Sequence, residues 1–201
     1  MGREDHFAYP SHFAALPELR PVVRLEPGIQ GGNFPTEEAT ISCLVGDYLR
    51  EQGLGDLADD IQPFPMTLLH FRRTFVEKLF TIHGKVVRLL TEGVPLGRDA
   101  RHYPDLFALL GQEAVRRMLD SLEYREIRED YDEKSRQFYP RSYRLPPELC
   151  FAEGPALFPD PELWETLARA YHVSCLPFFA SRDFPQFDEI LARFAEVRAL
   201  L

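Results

Sequence analysis

Lys78 and the stretch Arg98-Asp99-Ala100-Arg101-His102-Tyr103-Pro104-Asp105 hold the residues of this chain best suited to anion chemistry. A lysine offers a compact charge, and an arginine offers a fork that matches two phosphate oxygens at once. The Arg98–Asp105 stretch lies just before a predicted helix start, where free N–H groups and the helix dipole favour negative charge. Asp105 falls in the first turn of that helix, a place where a carboxylate is also favoured for structural reasons alone. Glu26 closes a predicted strand and is a further carboxylate within reach of chemistry. Taken singly, each of these has an ordinary explanation: a surface lysine, a capped helix beside a charged loop, an exposed edge-strand glutamate.

The elements that must position them can be read from periodicity. From Arg72 onward Phe75, Leu79, Ile82, Val86 and Leu89 repeat at 4-3-4-3 spacing, which predicts one amphipathic helix ended by Gly93-Val94-Pro95. Lys78 falls about 60° from the centre of that stripe, at roughly 100° per residue. There its stem can pack while its ammonium reaches outward. Glu77 points the other way. A short helix is expected at Tyr103–Leu110, and a single longer one from about Gln112 to Tyr139 with Val115, Met118, Leu119 and Leu122 as its buried stripe. Asp160-Pro161 supplies a cap and a first-turn proline for another helix. Pro185 opens the last, with Phe187, Ile190, Leu191, Phe194 and Val197 facing inward.

Upstream, Pro21–Glu26 and 63–70 read as strands, and Ala39–Val45 as a strand running into a short helix. Gly31-Gly32-Asn33 marks a loop without the spacing of a phosphate-cradling motif. Strands followed by helices predict an α+β chain: a partial mixed sheet in residues 1–70, then a helical bundle in residues 71–201.

Composition narrows the function. The net charge of −9 excludes a general nucleic-acid binder, although a local basic patch is still compatible with the 23 Lys and Arg. Cys43, Cys150 and Cys175 are widely separated, which argues against a zinc site or a disulfide framework and for idle thiols in a reducing cytoplasm. The first residues hold no apolar signal-peptide core, and no apolar run approaches the ~20 residues of a membrane span.

Together the residues resemble the AbiEii/AbiGii toxin family of nucleotidyltransferases. The likeness is strongest over Arg73-Thr74-Phe75-Val76-Glu77-Lys78 with His83, similar to the family's ERTFWEK…H. It continues through Arg101-His102-Tyr103-Pro104-Asp105-Leu106, similar to R(D/H)xxDL, and through Lys134-Ser135-Arg136-Gln137-Phe138-Tyr139, similar to hKxxFF. The resemblance implies nucleotidyl transfer from an NTP, with Mg²⁺, to an acceptor such as tRNA or protein. It implies that Lys78 steadies the triphosphate with Arg101, His102 and Arg98 as further nucleotide contacts, that Asp105 positions Lys78 or the acceptor, and that Glu26 supports the metal.

The family's Gly-Gly-Thr/Ser turn with its Asp-x-Asp strand is not matched. The only Asp-x-Asp is Asp130-Tyr131-Asp132, within a charged helix. The expectation is therefore a chain lacking the front catalytic segment and inactive alone. The alternative is a non-catalytic module. Expected partners are a cognate antitoxin, the missing N-terminal half or a second copy. Val22, Val23 and Leu25 on one strand and Met66, Leu68 and Leu69 on another form an open face, expected to be covered by residues 1–20, by a second copy or by a different chain.

Overall fold

The structure, a computed structural model, describes residues 4–10, 22–27, 32–56, 59–175 and 184–201. Two compact units divide the chain, Met1–Gly32 and Asn33–Leu201, and each is described by itself.

In the first unit, β1 (Asp5–Ala8) pairs antiparallel with β2 (Val22–Leu25), with Phe7 opposite Val23. The valines of β2 are the β-branched residues that favour a strand. The pairing of β1 was not legible in the aperiodic opening sequence. Phe7, Val23 and Leu25 are each more than half exposed.

The second unit opens with β3 (Thr36–Ile41), which pairs antiparallel with β4 (Phe64–Leu69). Between them lies α1 (Leu44–Glu51), capped by the Cys43 thiol, which accepts from the Gly46 N–H at 3.2 Å. The strand expected over 39–45 thus begins and ends earlier, because Cys43 restarts the chain as a helix. Pro65 is accommodated because a two-stranded ladder leaves every strand a free edge. The fold class is α+β as expected. The sheet, expected to be mixed, is two separate antiparallel pairs among the described residues. Parallel neighbours need a crossover element packed on the sheet. α1 is eight residues long and buries only Gly46, so it does not serve as one.

α2 (Phe71–Glu92) follows β4 directly. The His70 imidazole caps it by accepting from the Arg72 N–H at 3.1 Å, and Gly93 ends it in the left-handed region at φ 68°. Its stripe behaves as the spacing predicts: Phe75, Leu79, Ile82 and Val86 are fully buried, and Leu89 packs against them partly covered. Around it stand α3 (His102–Leu110), α4 (Glu113–Leu119), α5 (Leu122–Phe138), α6 (Pro161–Cys175) and α7 (Phe187–Ala195). Asp160 caps α6 through its carboxylate, which accepts from the Leu163 N–H at 2.9 Å. α7 opens on a reciprocal pair between Gln186 and Glu189, one residue past the proline expected to start it.

The single helix expected from Gln112 to Tyr139 is two. The N–H and hydroxyl of Ser121 both bond to the Met118 carbonyl, at 2.9 and 2.6 Å, and turn the chain between α4 and α5. That turn shifts the helical phase. Leu122, expected inside, is 66% exposed, and Tyr124 and Ile127 take the buried face.

Among the described residues, one charged side chain has no exposure at all. Arg73 donates to Glu77 at 2.8 Å, to Asp130 of α5 at 2.6 Å and to the Phe34 carbonyl at 3.0 Å, and its guanidinium lies 5.4 Å from the Phe34 ring centre. Lys134 also pairs with Asp130. Burial pushes the Asp130 carboxyl upward, but the bonds from Lys134 and Arg73 outweigh it and hold the group below the ordinary carboxylate range. Arg73→Ala strands Asp130 with less compensation and frees the Phe34 carbonyl. It should cost about 3–5 kcal/mol of unfolding free energy in a urea titration. A loss under about 1 kcal/mol would show that the buried guanidinium is not a joint.

Candidate functional site

α3 is anchored before it presents anything. Tyr103 is fully buried, its hydroxyl donates to the Ala156 carbonyl at 2.8 Å, and its ring meets Phe187 edge-on with centroids 5.0 Å apart. Leu106 and Leu110 fill the same core. With these three inside, His102 and Asp105 are left at the margin, facing α2.

There Lys78 Nζ lies 2.6 Å from Asp105 Oδ2 and 3.5 Å from His102 Nδ1. Two sequence segments separated by 27 positions thus meet at one ammonium. The Lys78 side chain is 23% exposed and that of Asp105 is 50% exposed, so the pair borders water. Two turns further along α2, Lys85 pairs with Asp99 at 2.7 Å. This second bridge was missed in the sequence. Its signal was the seven-residue interval from Lys78, which places both lysines on one helix face.

His102 is half-buried. Burial lowers its imidazole below the ordinary value, and the neighbouring Lys78 and Arg101 cations act in the same direction, against Asp99 and Asp105. Arg98 and Arg101 are both exposed. The free amides expected at the start of α3 are reduced. A 3-10 turn, Gly97–Arg101, runs straight into the helix, Arg101 keeps helical angles, and the His102 N–H already bonds to the Asp99 carbonyl. The site's chemistry therefore rests on side chains rather than on a helix terminus.

The remaining candidate residues have other partners. Glu26 follows β2 in the first unit, exposed and paired with Arg24. His83 is a core residue, 4% exposed and edge-on to Phe151, and burial lowers its imidazole against a backbone hydrogen bond to Leu145. Both carboxylates of Asp130-Tyr131-Asp132 are engaged structurally. Asp130 holds Arg73 and Lys134, while Asp132 accepts from Arg136 at 2.8 Å and from the Tyr143 hydroxyl at 2.8 Å. Gly31 lies outside the described residues. Among the described residues no three His, Cys, Asp or Glu side chains gather so as to hold a metal ion. The described residues do not fit a magnesium site by themselves.

The model of a family described as nucleotidyl transferase AbiEii toxin of a type IV toxin–antitoxin system matches residues 3–193. The chain belongs to the AbiEii nucleotidyltransferase toxin family. No curated protein and no solved structure matches it. Among the described residues no helix is long and apolar enough to cross a membrane.

An ion pair bordering water contributes little to stability, about 0–1 kcal/mol. Lys78→Met and Asp105→Asn should each leave the thermal midpoint within a few degrees of the unsubstituted chain, as measured by circular dichroism. A drop comparable to that expected for Arg73→Ala would assign the pair a structural role instead.

Proposed function

We propose that the chain binds the triphosphate of an NTP at Lys78 and serves nucleotidyl transfer as part of a toxin–antitoxin system. The observation that carries this reading is the 2.6 Å contact joining Lys78 to Asp105, because it brings the two most specific motif segments to one point. In such a transfer an acceptor hydroxyl oxygen bonds to the α-phosphorus and releases its proton to water, while the bond from the α-phosphorus to the bridging oxygen breaks and pyrophosphate leaves. A point charge at Lys78 offsets the charge that builds on the departing phosphates. Arg101 adds a bidentate contact, and Arg98 and His102 extend the polar margin. Asp105 keeps the ammonium aimed. The proposed acceptor is tRNA.

The carboxylates at Asp130 and Asp132 are committed to structure, so transfer is proposed to need paired carboxylates from a further segment or partner. Mg·ATP should bind the chain in calorimetry, and Lys78→Ala or Arg101→Ala should each weaken binding about ten- to a hundredfold, the worth of one charge-assisted contact. The chain alone should transfer no label from NTPs to a tRNA pool. Binding unchanged in both variants would remove the site, and label transfer lost on Lys78→Ala would show that the chain is sufficient alone.

A second reading, an interaction module, is favoured by the surface of residues 33–70. Leu44 is 88% exposed, and Val45, Tyr48, Phe64 and Met66 are also open to water. The same stretch carries seven Asp and Glu against one Arg. Charge of one sign disfavours a second copy on this face and suits a basic partner such as an antitoxin or another catalytic segment. The exposed β1–β2 pair is the face proposed for a homodimer. Sedimentation velocity at micromolar concentration should show self-association. A clean 23.2 kDa monomer that binds no hydrophobic dye would sink the homodimer.

A further inference from the structure

We infer that His102 is a positioning residue for Lys78: a neutral imidazole carrying its proton on Nε2, whose Nδ1 lone pair and the Asp105 carboxylate hold the ammonium from two sides. An ammonium has three donors and no lone pair, so a neighbouring ring nitrogen can only accept from it. His102 Nδ1 stands 3.5 Å from Lys78 Nζ, at the long end of hydrogen-bonding distance, while Asp105 Oδ2 stands at 2.6 Å. The contact is attractive only if Nδ1 is unprotonated, which leaves the proton on Nε2.

The surroundings favour that state. Lys78 faces the ring from α2, Arg101 and Asp99 from the 3-10 turn, and Asp105 from α3. Burial and the two cations disfavour a charged ring more than the two carboxylates favour it. A second proton would set two donors against each other across the contact and leave Lys78 held by Asp105 alone. One bond to an exposed carboxylate leaves a four-carbon stem free to swing, whereas a second contact defines where the ammonium points. The Nε2–H bonds to no described residue, so it is left as a neutral donor beside the positive charge.

His102 is lowered in the folded chain relative to the unfolded one, so the two-sided hold is present above the ordinary imidazole value of about 6.5. It is lost as pH falls through the lower folded value. A group that merely filled space would show no such dependence.

This inference rests on the nucleotide-site reading only for what the ammonium serves, and its test needs no nucleotide. The full chain is labelled with ¹⁵N-histidine, and long-range ¹H–¹⁵N spectra are followed from pH 5 to 8, with His102 assigned by its loss in His102→Asn. The expected result is an Nε2–H tautomer at neutral pH and a midpoint below that of an exposed histidine. In Lys78→Met the midpoint should move upward, because the nearest cation is gone. An Nδ1–H tautomer, or a midpoint unmoved by Lys78→Met, overturns the inference.

Calorimetry with Mg·ATP then separates the two readings. His102→Asn keeps an acceptor near the Nδ1 position and should bind within about threefold of the unsubstituted chain, whereas His102→Ala should lose roughly tenfold, one charge-assisted contact's worth. Equal losses in both overturn the positioning role. The expected titration in a chain that binds no Mg·ATP supports the positioning role and overturns the nucleotide reading.

Discussion

A guanidinium sealed from water must find its partners inside the protein, and Arg73 meets that demand with residues from three parts of the chain. Glu77 lies one turn along the same helix, Asp130 comes from α5, and the carbonyl of Phe34 comes from the segment that leads into β3. An uncompensated charge in this place would be costly, so the three parts are held together as a set. The constraint reaches the candidate site through α2. Arg73 and Lys78 are five residues apart on one rigid helix, so locking the first against α5 and the β3 entrance limits where the second can point.

α2 thereby does two jobs with two faces. Its apolar stripe fills the core, and its margin carries Lys78 and Lys85, which reach the carboxylates of Asp105 and Asp99. Seven residues at 1.5 Å each put these bridges about 10 Å apart along the axis. The segment from Gly97 to Asp105 is consequently laid along α2, pinned at two points by charge and below by Tyr103. This explains how a chain with a net charge of −9 can offer a cationic margin. Much of its acidic excess lies elsewhere, in residues 33–70 and along α5, where it is exposed or tied into pairs such as Arg125–Glu129 and Asp132–Arg136.

The same logic separates residues that share a motif. Glu77 and Lys78 are adjacent in sequence, yet a turn of about 100° sends them to different tasks. Glu77 satisfies the buried Arg73, and Lys78 faces His102 and Asp105. Within the Asp-x-Asp of α5, both acids serve packing: one is an internal counter-ion, the other a hydrogen-bond acceptor for Tyr143. Spelling that suggests a metal site is thus absorbed into the bundle.

Periodicity and capping chemistry by themselves determined the helices that frame the site. The stripe from Phe75 to Leu89, the stop at Gly93 and the start at Asp160-Pro161 are local signals, and local geometry obeys them. The edge position of Lys78 followed from the same wheel, and the family likeness drew Asp105 to its side. What only the tertiary structure decided were matters of partnership between distant segments. The break at Ser121, which turned Leu122 outward, depends on how α4 and α5 each pack, and a stripe read across both cannot register a phase shift. The pairing of β1 with β2 needed a partner strand that no local pattern names. The use of Asp130 for Arg73, of Asp99 for Lys85 and of His102 for Lys78 likewise depends on which side chains folding brings within hydrogen-bonding distance. Sequence order carries helical phase faithfully, but a charge is assigned its partner only when the chain closes on itself.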